Sequence, residues 1–241
     1  QVLRPILGDK NRSVVTELAT ALAAVPLDQI DSGDASALEN IFRAYLEIQL
    51  DDLDLPSVQA RLGNFYLRRG DISLAEASYR AALAIDPQTL GAHINLADLK
   101  RTQGDDQGAR AVLLDALDLI PSEASLLYAL GLLEVRGGNY GTALGYLKEA
   151  AHLEEGGLQY RYVYSVALHD MGRIDEAIEE LKVALEYSKY SSDVLYALAA
   201  YSFEIARYAD ARAYAKQLVS LYPGNETYRQ LDRQISNLSQ D

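Results

Sequence analysis

Apolar positions in this 241-residue chain recur at helical spacing, and the helical segments themselves recur. Leu62, Leu96, Leu130, Tyr164 and Leu198 stand 34 residues apart, each followed by a small residue: Gly63, Ala97, Gly131, Ser165 or Ala199. Ala75, Ala109, Ala143, Ala177 and Ala211 keep the same period of 34, as do Ala82, Ala116, Ala150, Ala184 and Leu218. Gly70, Gly104, Gly138, Gly172 and Ala206 punctuate the pattern between them. A fixed period of this length marks a stack of small supersecondary units, each unable to bury its apolar face alone.

Each column has a physical reading. The first helix of a unit runs for roughly 13 residues and ends at the Gly column, which suits a left-handed C-terminal cap. A second helix follows, with Asp71, Asp105 or Asp175 near its start, where an acid satisfies free amides. The small residues of helix one and the repeated Ala of helix two let the two axes approach closely. Pro87, Pro121 and Pro223 end three units, and Glu155 and Lys189 stand in that place in the other two. Lys100, Glu134 and Ser202 occupy the position of Tyr66, so this layer is expected to be looser or more solvated.

Leu62-Gly63, Tyr66, Gly70, Ala75, Tyr79, Ala82 and Pro87 resemble the tetratricopeptide signature, and the other four units keep most of it. The resemblance implies an all-α, right-handed solenoid of five helix pairs at 56–89, 90–123, 124–157, 158–191 and 192–225. It also implies a protein–protein interaction scaffold rather than an enzyme. Within residues 1–55, Ser13–Val25 reads as a helix with Ser13 as N-cap and Pro26 as stop. Asp34–Leu50 reads as an amphipathic helix in which Ile41 and Tyr45 fall one period before Ala75 and Tyr79. It is expected to cap the stack as a half-repeat, with Pro26 and Gly33 preventing a good first helix before it. Residues 226–241, with Tyr228, Leu231, Ile235 and Leu238 at helical spacing, form the closing helix that shields the last apolar face.

A narrower resemblance lies in Tyr160–Arg173 and in a HEAT-like piece at about 1–25. Both are similar to parts of certain bacterial multihaem cytochrome c proteins. It implies a non-catalytic docking arm of a larger, exported, periplasmic chain, or a self-association module; otherwise the expected compartment is cytoplasmic. The haem-binding Cys-x-x-Cys-His motif is absent from this sequence. The chain opens on Gln1, which reads as an excised fragment or a processed form.

Composition narrows the partners. The formal charge is −13, which disfavours duplex nucleic acid or an anionic membrane surface. No apolar run is long enough to span a bilayer, and no signal peptide is visible. Without Cys there is no disulfide, thiolate metal site or Cys nucleophile. Hydrophobic residues make up 49%, enough for a packed core.

Helical geometry then places side chains on the expected concave groove. Ala60, Ile94, Tyr128, Tyr162 and Tyr196 precede the Leu column by two residues and face inward. The three tyrosines form either an aromatic wall for a partner segment or a packing layer with hydroxyls at the rim. Asn64 and Asn95 face inward on the first two units, with Arg61, Arg68, Arg101 and Arg136 on or near the same side. Asn bonds an extended backbone and Arg clamps a carboxylate, unless these side chains are merely solvated surface. Asn64 and Asn95 resemble the Asn pair of a tetratricopeptide carboxylate clamp. Ala60, Ser125 and Ala129 stand where that clamp needs basic residues. The partner is thus a protein or peptide, or an upstream region of the same full-length chain.

Catalytic and metal chemistry find little support. Glu149-x-x-His152 has the spacing of a di-iron helix motif, but His93 and His169 lack a Glu three positions before them. His169-Asp170 has no second His cluster and reads as a groove or rim pair. Gly137-Gly138 is the repeat turn rather than a phosphate loop. No catalytic residue, metal or cofactor is assigned. Sequons occur at Asn11, Asn225 and Asn237 and are expected to be unmodified.

Overall fold

The computed structural model describes residues 11–153 and 157–238. Among these are thirteen α-helices and no strand. Contacts divide the chain into two compact units, between Ile120 and Pro121. The first contains α1 (Arg12–Leu22), α2 (Ser32–Leu50), α3 (Pro56–Arg69), α4 (Ile72–Ile85), α5 (Leu90–Thr102) and α6 (Asp106–Leu119). The second contains α7 (Ala124–Arg136), α8 (Tyr140–His152), α9 (Gly157–Asp170), α10 (Ile174–Tyr187), α11 (Ser192–Glu204), α12 (Tyr208–Leu221) and α13 (Glu226–Leu238). From α3 to α12 the helices pack in antiparallel pairs, each with a first (A) and a second (B) helix. The all-α helical-repeat solenoid class expected from the sequence is the class observed.

The turn between A and B helices is built the same way in every pair. Gly70, Gly104, Gly138 and Gly172 have φ of 74–80°, and Ala206 has φ 59°. The amide one residue further on reaches back to a carbonyl in the preceding turn. Asp71 N donates to Tyr66 O (2.9 Å), Asp105 N to Lys100 O (2.9 Å) and Asn139 N to Glu134 O (2.9 Å). Arg173 N donates to Leu168 O (2.9 Å) and Arg207 N to Ser202 O (2.8 Å). These bonds satisfy carbonyls that a helix end otherwise leaves open. Positive φ is the reason for Gly here: a Cβ at Gly70, Gly104, Gly138 or Gly172 would meet nothing within 4 Å.

The helix pairs close through size complementarity. A Cβ on Gly63 would run into the Tyr79 ring, and one on Gly131 would stand 2.6 Å from the Leu147 side chain. So the small residue of helix A lies under the residue four positions after the repeated Ala of helix B. All five of those alanines are buried. In α4, α6 and α12 the helix ends one residue before a C-cap, and Pro87, Pro121 or Pro223 follows. Glu155 lies outside the described residues.

Three expectations are corrected. The layer at Lys100, Glu134 and Ser202 is not solvated: Glu134 and Ser202 are buried and Lys100 is half-buried. Two of its polar heads are met locally, Glu134 Oε2 by Asn139 Nδ2 (2.7 Å) and Lys100 Nζ by Glu76 and Asp105 (both 3.5 Å), while the buried Ser202 Oγ has no hydrogen-bond partner. Of the three acids expected near B-helix starts, Asp105 caps through its side chain (to Gly108 N, 2.8 Å), while Asp71 makes no such bond. Asp175 lies in the first turn of α10, whose N-cap is Arg173. Finally, α1 is capped by Asn11, whose Oδ1 accepts from Ser13 N (3.0 Å), so the helix starts earlier than Ser13 and ends at Leu22.

Between Pro26 and Gly33 the described chain holds a short turn, Leu27–Gln29, and the start of α2, so α1 is the helix expected ahead of Pro26 and not an in-register first helix. It lies upstream of residue 22, where a 34-residue period would begin an A helix, and still packs on α2. Val15 and Ala19 join Leu38, Ile41, Phe42, Tyr45 and Phe65 in one core cluster. At the other end Ile235 of α13 is buried with Ala199, Ala211 and Ala215.

One polar clasp joins neighbouring A helices in the second unit. The His169 ring of α9 stacks on Tyr201 of α11, with centroids 4.0 Å apart and planes within 7°. Its Nε2 meets Glu204 Oε2 at 2.7 Å, and its Nδ1 faces Asp170 Oδ1 at 3.5 Å. Partial burial pushes the imidazole pKa down, but the carboxylates of Glu204 and Asp170 outweigh it, and the pKa stands above its ordinary value.

Three predictions follow from these contacts. Ala206→Gly relieves left-handed strain and raises stability by roughly 1 kcal/mol, read as a higher thermal midpoint, whereas Gly172→Ala lowers it. Gly131→Ala forces Leu147 aside and costs about 1–3 kcal/mol in urea unfolding. Because the folded pKa of His169 is raised, its contribution is complete below about pH 6.5 and fades as pH rises through the folded value. The thermal midpoint of wild type is therefore expected to fall over that window more steeply than that of His169→Gln.

Candidate functional site

The A helices carry the residues singled out from the sequence, and the two units treat them differently. On α3, Arg61, Asn64 and Arg68 lie at spacings of three and four, on one helical face. With Phe65 they form one wall of a cleft of about 450 Å³, and Glu17, Thr20 and Ala21 of α1 form the other. Arg61 Nη2 makes a long contact to Gln49 Oε1 (3.5 Å), and Arg68 Nη1 donates to Thr20 O (3.1 Å).

Asn64 and Asn95, on neighbouring A helices, are brought together. Asn95 Nδ2 donates to Asn64 Oδ1 (2.9 Å), which also accepts from Tyr79 Oη (2.7 Å). Burial pushes the Tyr79 hydroxyl up to about 12, with the Asp98 carboxylate adding to the shift, so it stays protonated and donates. The same Tyr79 that fills the space over Gly63 therefore holds the Asn pair in place.

Arg101 and Arg136 do not join this group. Arg101 is bound by both Nε (2.9 Å) and Nη2 (2.6 Å) to Asp98 Oδ1, three residues earlier on its own helix. Arg136 is exposed at the end of α7 and already has a partner.

Tyr128, Tyr162 and Tyr196 lie on α7, α9 and α11. Among the described residues they make no ring contact with one another. Tyr128 meets Tyr160 (4.8 Å) and Tyr196 meets Tyr228 (6.1 Å). Tyr162 packs against the cluster of Ile178, Leu181 and Leu198, and burial raises its hydroxyl pKa, with Asp193 adding to the shift. Tyr196 remains 39% exposed. The aromatic rings that meet here are 32 residues apart, as also in His169–Tyr201, whereas Asn64 and Asn95 are 31 apart and His169 and Glu204 35.

Three features escaped the repeat register. Glu17, Thr20 and Ala21 belong to α1, which lies outside it. Of the clasp, the sequence offered His169-Asp170 at the groove or rim but not Glu204. Tyr190, 66% exposed, accepts at its carbonyl from Tyr222 Oη (2.8 Å), and Tyr222 in turn packs on Tyr228 (5.8 Å). The Glu149/His152 spacing brings no metal site: His152 faces Glu180 (3.1 Å) and the Lys148 carbonyl (2.7 Å). Among the described residues no group of three His, Cys, Asp or Glu side chains is placed to hold a metal, and no helix is long and apolar enough to cross a membrane.

Tetratricopeptide repeat models match residues 60–124 and 168–235, and a model described as anaphase-promoting complex, cyclosome, subunit 3 matches 112–184. No curated protein matches the chain. Among solved structures, PilW, a type IV pilus biogenesis factor, aligns with TM-score 0.64 at 16% identity, covering 93% of this chain and 99% of its own. Pseudomonas aeruginosa pilF aligns with TM-score 0.60 at 20% identity, over 93% and 100%. YrrB, described as a TPR protein with an unusual peptide-binding site, aligns with TM-score 0.58 at 18% identity, over 78% and 97%. At these identities the structures speak to the fold, and these matches do not extend to the multihaem resemblance. Their agreement with the repeat models and the five identical corners places this chain in the tetratricopeptide repeat family, whose repeats serve as protein-interaction scaffolds.

Proposed function

We propose that the A-helix faces hold extended segments of a partner protein, the first unit by backbone recognition and the second, taken by itself, by aromatic contacts. The observation that carries this reading is the Asn64–Asn95 pair. Their mutual bond uses the Asn64 oxygen and an Asn95 N–H. It leaves the Asn64 amide donors and the Asn95 carbonyl uncommitted on neighbouring helices. One donor beside one acceptor is the complement of a peptide group. Tyr79 fixes the pair from below, so little ordering entropy is lost on binding. Tyr196 and the half-buried Tyr128 and Tyr162 offer rigid apolar area with a polar tip. The scaffold is non-catalytic in this reading.

A peptide library displayed against the folded chain tests this. Selected segments are expected to lose about tenfold or more in affinity on Asn64→Ala with Asn95→Ala, two hydrogen bonds at about 1 kcal/mol each. Alanine at Tyr128, Tyr162 and Tyr196 is expected to weaken segments that bind through the second unit, with circular dichroism confirming that the helices persist. Undiminished binding to either folded variant removes the corresponding half of the proposal.

A further inference from the structure

The last turn of α11 and the corner after it collect two unfavourable features. Alanine stands here where the other four corners have glycine, and Ala206 has φ 59°. A left-handed backbone brings Cβ close to the following carbonyl oxygen. Four residues earlier, the Ser202 hydroxyl is buried without a hydrogen-bond partner. A polar group taken from water without replacement destabilises the turn that buries it. The corner nevertheless closes as in the other pairs, with Arg207 N donating to Ser202 O (2.8 Å).

The same turn is held from the neighbouring pair. Tyr201 stacks on the His169 ring and Glu204 meets its Nε2, so the two contacts bracket Ser202. We propose that this clasp is a pH-operated latch: the charged imidazole pins the strained α11–α12 corner, and the neutral imidazole lets that corner open locally while the rest of the second unit stays folded. The latch belongs to the chain alone and stands whether or not the second unit holds a partner segment.

Geometry favours the charged ring. Both ring nitrogens face a carboxylate oxygen, Nε2 that of Glu204 (2.7 Å) and Nδ1 that of Asp170 (3.5 Å). A neutral imidazole has one N–H and turns a lone pair toward the other carboxylate, whereas imidazolium donates to both. Charge also strengthens the Nε2 bond and adds attraction to the Tyr201 face. Partial burial pulls the imidazole pKa down, the bonds to Glu204 and Asp170 push it further up, and it stands above the ordinary 6.5. The Tyr201 hydroxyl, pushed up to about 12 by burial and then by Tyr162, Asp170 and Glu204, keeps its proton through the same range. On the helices packed against α9, Asp175 and Glu176 of α10 bind Arg207 and Arg173 (both 2.6 Å). Glu180 of α10 binds Arg161 (2.7 Å) and faces His152 of α8 (3.1 Å), and Lys148 of α8 acts on Glu176. The Arg207–Asp175 pair tethers the corner at every pH in this window, but it is exposed and so contributes little. Below about pH 6.5 the ring is charged whether the corner is closed or open, and the latch acts fully. Its hold fades as pH rises through the closed-state pKa.

Amide hydrogen exchange of the full chain, corrected for its intrinsic pH dependence, tests the latch. The amides of Ala206, Arg207 and Ala211, each bonded to a carbonyl at this corner, are the reporters. The corner amide of Asp105 in the first unit and the amide of the buried Leu147 in α8 are the references. Protection of the three reporters is expected to fall about threefold or more between about pH 6 and about pH 8, with no such fall at the references. His169→Gln and Glu204→Gln are each expected to flatten that dependence with helicity retained. Ala206→Gly is expected to raise protection at both pH values and keep the fall, because it relieves the corner and leaves the latch in place. The Hε1 resonance of His169 follows the charge of the ring directly. No fall in wild type, an equal fall at Asp105 and Leu147, or a fall that persists in His169→Gln overturns the latch. Titration of His169 at the value of an exposed imidazole overturns it as well.

Discussion

The reversal of the chain between the two helices of a pair is the constraint on which the rest of the molecule depends. It takes two or three residues, one of them at positive φ, and it is locked by an amide reaching back five positions to a carbonyl of the ending helix. Glycine adopts that conformation without steric cost, which is why four of the five corners use it. Once the corner is set, helix B must return along helix A at a fixed spacing. The residues that meet are then decided: Gly63 under Tyr79, Gly131 under Leu147.

That geometry explains why a layer with polar residues stays buried. Lys100, Glu134 and Ser202 supply the carbonyls that the corner amides seek, so their backbone sits beneath the turn whatever side chain they carry. Glu134 is tolerated because Asn139, at the same corner, brings an amide to its carboxylate. A buried charge is retained where a hydrogen-bond donor is fixed beside it.

The candidate site inherits its form from the same scaffold. Tyr79 closes the first pair and, with its hydroxyl, holds Asn64 and Asn95 together, so a packing residue also organises a polar surface. In the second unit, ring contacts between A helices run at a spacing of 32 rather than 34. The two-residue stagger gives His169 its Tyr201 stack and leaves Tyr128, Tyr162 and Tyr196 as separate aromatic positions instead of a continuous ladder. Charge follows a comparable logic. Arg101 is neutralised by Asp98 on its own helix, whereas Arg61 and Arg68 line a cleft with Glu17 and contact the Gln49 side chain and the Thr20 carbonyl.

The period of 34, the positive-φ corners, the buried alanines and the family were legible in the sequence, because each is a local or strictly repeated demand on residue type. So was the placement of Asn64 and Asn95 on the first helices of neighbouring pairs, since the period alone assigns it. Only the tertiary structure decided which of those residues meet. The sequence places Arg61, Arg68 and Arg101 alike on one side, yet packing draws the first two around a cleft and leaves the third to its i,i−3 partner. It also hides Tyr162 more than Tyr196, and sets α1 out of register as the opposing wall. Repetition records what every unit shares. Contacts between helices that do not repeat, such as α1 with α3, depend on the path of a loop that no period encodes.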